Sequence, residues 1–140
     1  MIPETAESDV MSQVPSILVV DDSSTMRNLL SFHLKKQGYQ VRAAANSRDA
    51  LTLCKVSLPD VIITDLELNG ECGLDLIRRC QCDPNLIAIP IIACSGNSDE
   101  AVRQEALHAG AKLYLVKDDS LSHEIASAIQ TVLAVPCSAR

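Results

Sequence analysis

The sequence predicts an α/β fold with a doubly wound, five-stranded parallel sheet and helices on both of its faces. Along the 140 residues, short aliphatic runs alternate five times with longer amphipathic stretches, which is typical of successive βα units. The first run, residues 17–20, is apolar at every position, as expected for a strand buried on both faces. A chain of this length can bury one core without disulfides or metals.

The strands are predicted from their aliphatic and β-branched composition. The second run, which begins at Tyr39, is the weakest of the five, whereas the third and fourth are strongly apolar. The predicted strands are residues 17–20, 39–44, 61–65, 89–94 and 112–116.

The helices are predicted from apolar spacing and from end signals. Ser23 or Ser24 can cap the first helix and Gly38 can end it, while Ser47 begins the second, which closes before Pro59. A loop flanked by Gly70 and Gly73 precedes the third helix, residues 100–109 form the fourth, and Gly110 follows it. The apolar positions of the first, second, third and fifth helices are Met26, Leu29, Leu30, His33 and Leu34; Ala50, Leu51, Leu53 and Cys54; Leu74, Ile77 and Cys80; and Leu121, Ile125, Ala128, Ile129, Val132 and Leu133.

One domain is expected over residues 16–136, between a flexible polar leader at 1–15 and a tail at 137–140. The net charge of −6 argues against direct binding to nucleic acid. No apolar run is long enough to cross a bilayer, and the acidic leader lacks the basic start of a secretory signal, so a cytoplasmic protein without membrane contact is expected. The six cysteines are then expected to be reduced thiols, and Cys72, Cys80 and Cys82 lack the usual metal-ligand spacing.

The predicted strands end in residues that carry chemistry. Asp21 and Asp22 follow the first strand, Asp65 ends the third, Ser95 the fourth and Lys117 the fifth. Taken singly, such residues are usually caps, turn formers or solvated side chains. Ligands bind at the carboxyl edge of an open parallel sheet, so their convergence there favours a functional site. Carboxylates with a hydroxyl and an ammonium suit Mg²⁺ and phosphoryl transfer.

The chain resembles the bacterial response-regulator receiver family, above all in the stretch VVDDSSTMR at residues 19–27. The resemblance extends from about Ile17 to about Val135 and implies the flavodoxin-like (βα)5 arrangement. It implies that Asp65 is the phosphoacceptor and that Mg²⁺ is held by Asp21, Asp22, Asp65 and the backbone carbonyl of Glu67. It also implies that Lys117 and Ser95 contact the phosphoryl group, that Ser95 and Tyr114 form a switch, and that Gly73 opens the third helix.

The same resemblance implies a stand-alone phosphoacceptor switch of two-component signalling rather than an enzyme in the ordinary sense. A sensor histidine kinase or a phosphotransfer protein is the expected donor. The expected output is a protein target that contacts the fourth helix, the fifth strand and the fifth helix, since no output domain is expected to follow. The alternative is a domain that serves as a phosphate relay or sink. Asn97 and the Glu67 side chain stand where they could orient or repel the water that removes the phosphoryl group.

Two positions depart from the family pattern, and one alternative to a phosphorylated receiver stays open. Asn69 and Asp118 replace prolines that usually stand four residues after the acceptor and directly after the lysine. These changes support a degenerate receiver that binds proteins without phosphorylation. A haloacid-dehalogenase-like phosphatase would need an Asp-x-Asp pair after the first strand, and a flavodoxin-like flavin binder would need a glycine-rich phosphate loop there; the sequence shows neither.

Overall fold

The computed structural model describes residues 14–68 and 70–134, which form a central sheet flanked by helices. Five strands pair in parallel in the order β2-β1-β3-β4-β5, which confirms the predicted doubly wound fold. The strands are β1 Ser16–Val20, β2 Gln40–Ala44, β3 Val61–Asp65, β4 Ile91–Ser95 and β5 Leu113–Val116. The helices are α1 Ser24–Lys36, α2 Ser47–Val56, α3 Gly73–Cys82, α4 Glu100–Ala109 and α5 Leu121–Ala134.

Two layers of apolar side chains hold the helices to the sheet. Leu18, Ile62 and Ala93 point to the face covered by α2, α3 and α4. The alternate residues Ile17 and Ile63 point to the face covered by α1 and α5. Because side chains alternate along a strand, the central strands supply apolar groups to both layers.

The predicted ends of most elements are confirmed within one or two residues. The Ser23 hydroxyl accepts a hydrogen bond from the Met26 N–H and so caps α1, and Gly38 follows α1 with a positive φ of 98°. Strand β4 begins at Ile91 rather than at Ile89, because the Ile89 N–H is bonded to the Leu86 carbonyl in a turn and Pro90 has no N–H to donate.

The segment before α3 differs from the predicted loop. Glu67–Leu68 and Glu71–Cys72 pair as two antiparallel strands and form a short hairpin. Gly70 adopts a φ of 84°, which glycine tolerates best. The signal was the Asn-Gly pair at 69–70, because that pair favours two-residue hairpin turns. Asn69 itself lies outside the described residues, as do residues 1–13 of the predicted leader and the predicted tail at 137–140.

Gly73 lets α3 begin directly against the end of β3. Its N–H donates to the Leu66 carbonyl at 2.8 Å. A Cβ at this position would lie 2.2 Å from the Asp65 carbonyl oxygen and 2.8 Å from the Leu66 Cα. Both are backbone atoms that cannot rotate away, so the close approach requires glycine.

We therefore expect Gly73→Ala to lower the free energy of unfolding by about 1–3 kcal/mol, although alanine favours helices, because the clash overpacks the backbone. Urea unfolding followed by circular dichroism measures the change. Gly96→Ala is the matched control, because its Cβ would meet nothing within 4 Å, and it should change stability by about 0.5 kcal/mol or less. Equal effects of the two substitutions would contradict the steric explanation.

Candidate functional site

Three carboxylates meet at the carboxyl edge of the sheet. Strands β1 and β3 are neighbours, and Asp21, Asp22 and Asp65 each bring an oxygen within 4.8 Å of the others. Asp21 and Asp65 are buried, with 2% and 5% of their surface exposed, whereas Asp22 is exposed. The predicted convergence of these strand ends is therefore present in the structure.

The two buried carboxylates are held by backbone donors. One oxygen of Asp21 accepts the Ser23 N–H at 2.9 Å, and one oxygen of Asp65 accepts the Glu67 N–H at 3.1 Å. The Arg27 guanidinium donates to the Asp21 backbone carbonyl at 2.7 Å, which ties the start of α1 to the end of β1. These bonds fix the orientation of both acids before any ligand arrives.

Lys117 connects the two buried acids. Its Nζ lies 2.7 Å from Asp21 Oδ2 and 3.0 Å from Asp65 Oδ2, and only 17% of its side chain is exposed. Its backbone N–H donates to the Ser95 carbonyl at 2.8 Å, which places the side chain beyond the end of β5. One ammonium thus partly neutralises two carboxylates that would otherwise repel each other.

The electrostatics of the site follow from burial and from these pairs. Burial raises the pKa of Asp65, while the hydrogen bonds from Lys117 and from the Glu67 N–H act in the opposite direction. For Lys117, burial acts to lower the pKa, but the hydrogen bonds and charges of Asp21 and Asp65 outweigh it, so its pKa is raised. Lys117 therefore stays cationic at neutral pH.

Ser95 and Tyr114 are linked through the residue between them. The buried Ser95 hydroxyl accepts the Asn97 N–H at 3.1 Å. The hydroxyl of half-buried Tyr114 donates to the Asn97 backbone carbonyl. A movement of the Ser95 side chain would therefore act on the segment that anchors the tyrosine hydroxyl.

Asp118 does not pair with Lys117, although it is the next residue. Its carboxylate accepts the Ser120 N–H at 3.0 Å and the Ser120 hydroxyl at 2.7 Å, and these bonds lower the pKa of Asp118. The Leu121 N–H bonds to the Asp118 carbonyl, so the residue shapes the turn that leads into α5. The peptide bonds within the described ranges, including Lys117–Asp118, are trans.

Three contacts near the site were not predicted from the sequence. These are the Arg27 bond to the Asp21 carbonyl, the hairpin that carries Glu67, and the bond from the Ser47 N–H to the Glu71 carboxylate at 3.2 Å. The last contact places a negative charge at the start of α2, where it is favourable. Among them, only the hairpin had a local sequence signal. The metal-ligand role of the Glu67 carbonyl stays a prediction.

The donor set fits a hard divalent cation. Three carboxylates within ligand distance of one another supply the oxygen atoms that Mg²⁺ prefers, and the exposed Asp22 leaves a path for hydrated ions. Within residues 14–68 and 70–134, this is the single cluster of acidic, histidine or cysteine side chains with metal-site geometry. The cysteines at 54, 72, 80, 82 and 94 are free thiols, as predicted.

The comparisons with known proteins agree with this geometry. The family model described as the response regulator receiver domain matches residues 17–130. The chemotaxis protein CheY of Thermotoga maritima is 37% identical over 103 residues, which cover 72% of this chain and 83% of that protein. Several transcriptional regulatory proteins also match, and the chain spans about half of their length.

Solved structures give the same assignment. A response regulator from Chloroflexus aurantiacus superposes with a TM-score of 0.81 at 31% identity, covering 87% of this chain and 99% of that one. The response regulator TrrA of Thermotoga maritima, solved in complex with Mg²⁺ and BeF, gives 0.75 at 28% identity, covering 85% and 99%.

None of the helices in the described ranges is both long and apolar enough to span a bilayer. The match over most of the chain, the strand order and the strand-end carboxylates agree, and the chain belongs to the response regulator receiver domain family of two-component signalling.

Proposed function

We propose that this chain is a phosphorylation switch in which Asp65 accepts a phosphoryl group from a sensor histidine kinase or a phosphotransfer protein. The observation that carries the proposal is the position of Asp65, buried at the end of β3 with its Oδ2 3.0 Å from the Lys117 ammonium and two further carboxylates beside it. This arrangement combines a nucleophile, a cation and a metal-ligand set in one place.

The proposed reaction is an in-line displacement on phosphohistidine. An oxygen of Asp65 forms a bond to phosphorus as the phosphorus–nitrogen bond breaks, and the histidine nitrogen leaves with the electron pair. The product is an acyl phosphate on Asp65, which water later hydrolyses. We assign Mg²⁺ binding to Asp21, Asp22, Asp65 and the Glu67 carbonyl; the ion supplies charge neutralisation at the phosphoryl oxygens.

Lys117 is proposed to exchange partners during this reaction. In the unphosphorylated state it shares its charge between Asp21 and Asp65. When the Asp65 oxygen becomes the bridging oxygen of the acyl phosphate, the negative charge lies on the phosphoryl group, and the ammonium can pair with the phosphoryl oxygens instead. Because its pKa is raised, Lys117 carries the required positive charge throughout.

The proposed switch begins at Ser95. In the unphosphorylated state the Ser95 hydroxyl accepts a hydrogen bond from the Asn97 N–H. If this hydroxyl donates to a phosphoryl oxygen, the side chain turns away from the Asn97 N–H. The segment after β4 is then free to move together with the Tyr114 hydroxyl, which bonds to the Asn97 carbonyl. We infer that this shift alters the surface formed by α4, β5 and α5, where a cytoplasmic protein target would bind.

A second candidate function is a receiver that binds proteins without being phosphorylated. The observation in its favour is Asp118, an acid directly after Lys117 where family members usually have proline. The Asp118 carboxylate is directed to Ser120 and not to the Lys117 ammonium, so it does not compete with a phosphoryl group for that ammonium. The other departure, Asn69, lies outside the described residues.

Phosphorylation can be tested by mass spectrometry after incubation with Mg²⁺ and acetyl phosphate. We expect wild type and the exposed control Asp75→Asn to gain one phosphoryl group, and folded Asp65→Asn to gain none. A gain that persists in Asp65→Asn would place the acceptor elsewhere. No gain in wild type, with either acetyl phosphate or a histidine-kinase donor, would favour the second candidate function.

Magnesium binding can be tested through stability. Because Mg²⁺ relieves carboxylate repulsion, it should stabilise the wild type, by about 2.7 kcal/mol at 100 times its Kd. Asp22→Asn removes an exposed ligand with little expected effect on folding; a tenfold weaker site would reduce the gain to about 1.4 kcal/mol. Thermal melts with and without a chelator measure this. An equal loss in Asp75→Asn would argue against a specific site.

The role of Lys117 predicts a pH dependence of stability. Because Lys117→Met leaves Asp21 and Asp65 buried without a cation, it should cost about 3 kcal/mol near pH 7. It should also raise the Asp65 pKa further. When the pKa of an acid is higher in the folded than in the unfolded protein, the contribution of that acid to stability is complete below its unfolded pKa of about 3.9. This contribution is lost as the pH rises through the folded pKa.

The destabilisation by Lys117→Met should therefore shrink as the pH is lowered towards 4, because Asp65 then becomes protonated. Urea unfolding at several pH values measures it. Lys112→Met, at an exposed lysine outside the ion pairs of the described residues, should show no such trend. A destabilisation independent of pH would show that packing, not charge, is the contribution of Lys117.

A further inference from the structure

An open groove lies between α2 and α3, at the edge of the sheet opposite the acidic cluster. Helices in βα units run back along the sheet, so the C-terminal ends of α2 and α3 lie where the strands begin. Two adjoining cavities of about 670 and about 460 Å³ occupy this place. Both are lined by Leu51, Asp83, Asn85 and Leu86, which makes them one continuous groove.

The groove carries an unusual share of exposed apolar surface. Five large hydrophobic residues are exposed within the described ranges, and three of them lie at this end of α2 and α3: Val56 at 79%, Leu58 at 51% and Ile87 at 53%. Leu58 lines the groove, and the other two lie next to residues that line it. Apolar surface concentrated in one place marks a contact site more often than single exposed residues do.

The rim of the groove is basic. Lys55, Arg78 and Arg79 line it against one acid, Asp83, whose carboxylate accepts the Asn85 N–H at 2.8 Å. Arg78 forms an exposed ion pair with Asp75 at 3.4 Å. Lys55 and Arg79 form no ion pair with the described residues. A basic rim around apolar side chains fits a segment that is both acidic and apolar.

The residues that precede β1 in sequence have that composition, and β1 begins near the groove. The Ser16 N–H donates a hydrogen bond to the Asp60 carboxylate, and the Asp60 N–H donates one to the Ser16 carbonyl, each at 2.7 Å. Asp60 lies two residues after Leu58, which lines the groove. Residues 1–13 have no lysine, arginine or histidine, and extended they span about 40 Å. Their acids are Glu4, Glu7 and Asp9, and their large apolar residues are Met1, Ile2, Val10 and Met11.

We propose that residues 1–13 dock in the groove between α2 and α3 of the same chain. The acids of this segment supply charges opposite to those of Lys55 and Arg79, and its apolar residues match the exposed apolar side chains of the groove. Covalent attachment raises the effective concentration of the segment at the groove to the millimolar range, so weak contacts suffice.

The test compares full-length variants by hydrogen–deuterium exchange and ¹⁵N NMR. Glu4→Gln, Glu7→Gln and Asp9→Asn together remove the charge and keep the chain length. We expect faster exchange and shifted amide signals in residues 51–58 and 78–87, and unchanged signals at Asp65 and Tyr114. Lys55→Glu with Arg79→Glu should produce the same change, and Lys35→Glu on α1, on the opposite face, should not.

A peptide of residues 1–13 should bind the charge-neutralised full-length variant at the groove. Its affinity should fall at least threefold between 0.05 and 0.5 M NaCl, because salt screens exposed pairs. Unchanged exchange in the charge-neutralised variant would overturn the proposal, and so would peptide signals outside the groove. Groove protection that rises with protein concentration would also overturn it, since a second copy would then be the occupant.

Discussion

The structure depends on two carboxylates that are buried side by side and share one ammonium. Asp21 and Asp65 are almost fully inaccessible, and Lys117 lies within 3.0 Å of both. Two such acids without a cation would repel each other and would favour their protonated forms. The lysine comes from the end of β5, two strands away from β3, so the ion pairs join the ends of three strands at one edge of the sheet. The same three charged side chains therefore join the strands and form the candidate site.

The acidic cluster carries a net negative charge that a bound cation can neutralise. The cluster holds three carboxylates and one ammonium, so it retains excess negative charge even when Lys117 is in place. A divalent cation would cancel that excess, and an incoming phosphoryl group would then have cationic partners. Burial also raises the pKa of Asp65, and the hydrogen bonds from Lys117 and from the Glu67 N–H do not fully offset it. The site is thus organised for ligands whose charges complement it.

The sequence predicted the sheet and the strand-end residues because both depend on local patterns. Apolar runs defined the strands, and the rule that parallel strands place their carboxyl ends at one edge brought Asp21, Asp65 and Lys117 together. The sequence could not predict that Asp118 directs its carboxylate to Ser120, since that orientation depends on the turn before α5. Nor could it predict that Glu71 reaches the start of α2, because that contact joins residues 24 positions apart.

The two edges of the sheet differ in chemistry for a topological reason. Each βα unit sends its strand towards the carboxyl edge and returns its helix, so strand-end acids collect at one edge and helix C-terminal ends at the other. Basic residues are favourable near helix C-terminal ends, and Lys55 and Arg79 stand in the last turns of α2 and α3. The first strand necessarily begins at that basic edge, and residues 1–13, which precede it in sequence, contain three acids and no basic side chain. The separation of charge that gathers carboxylates at one edge thereby leaves the other edge suited to an acidic partner.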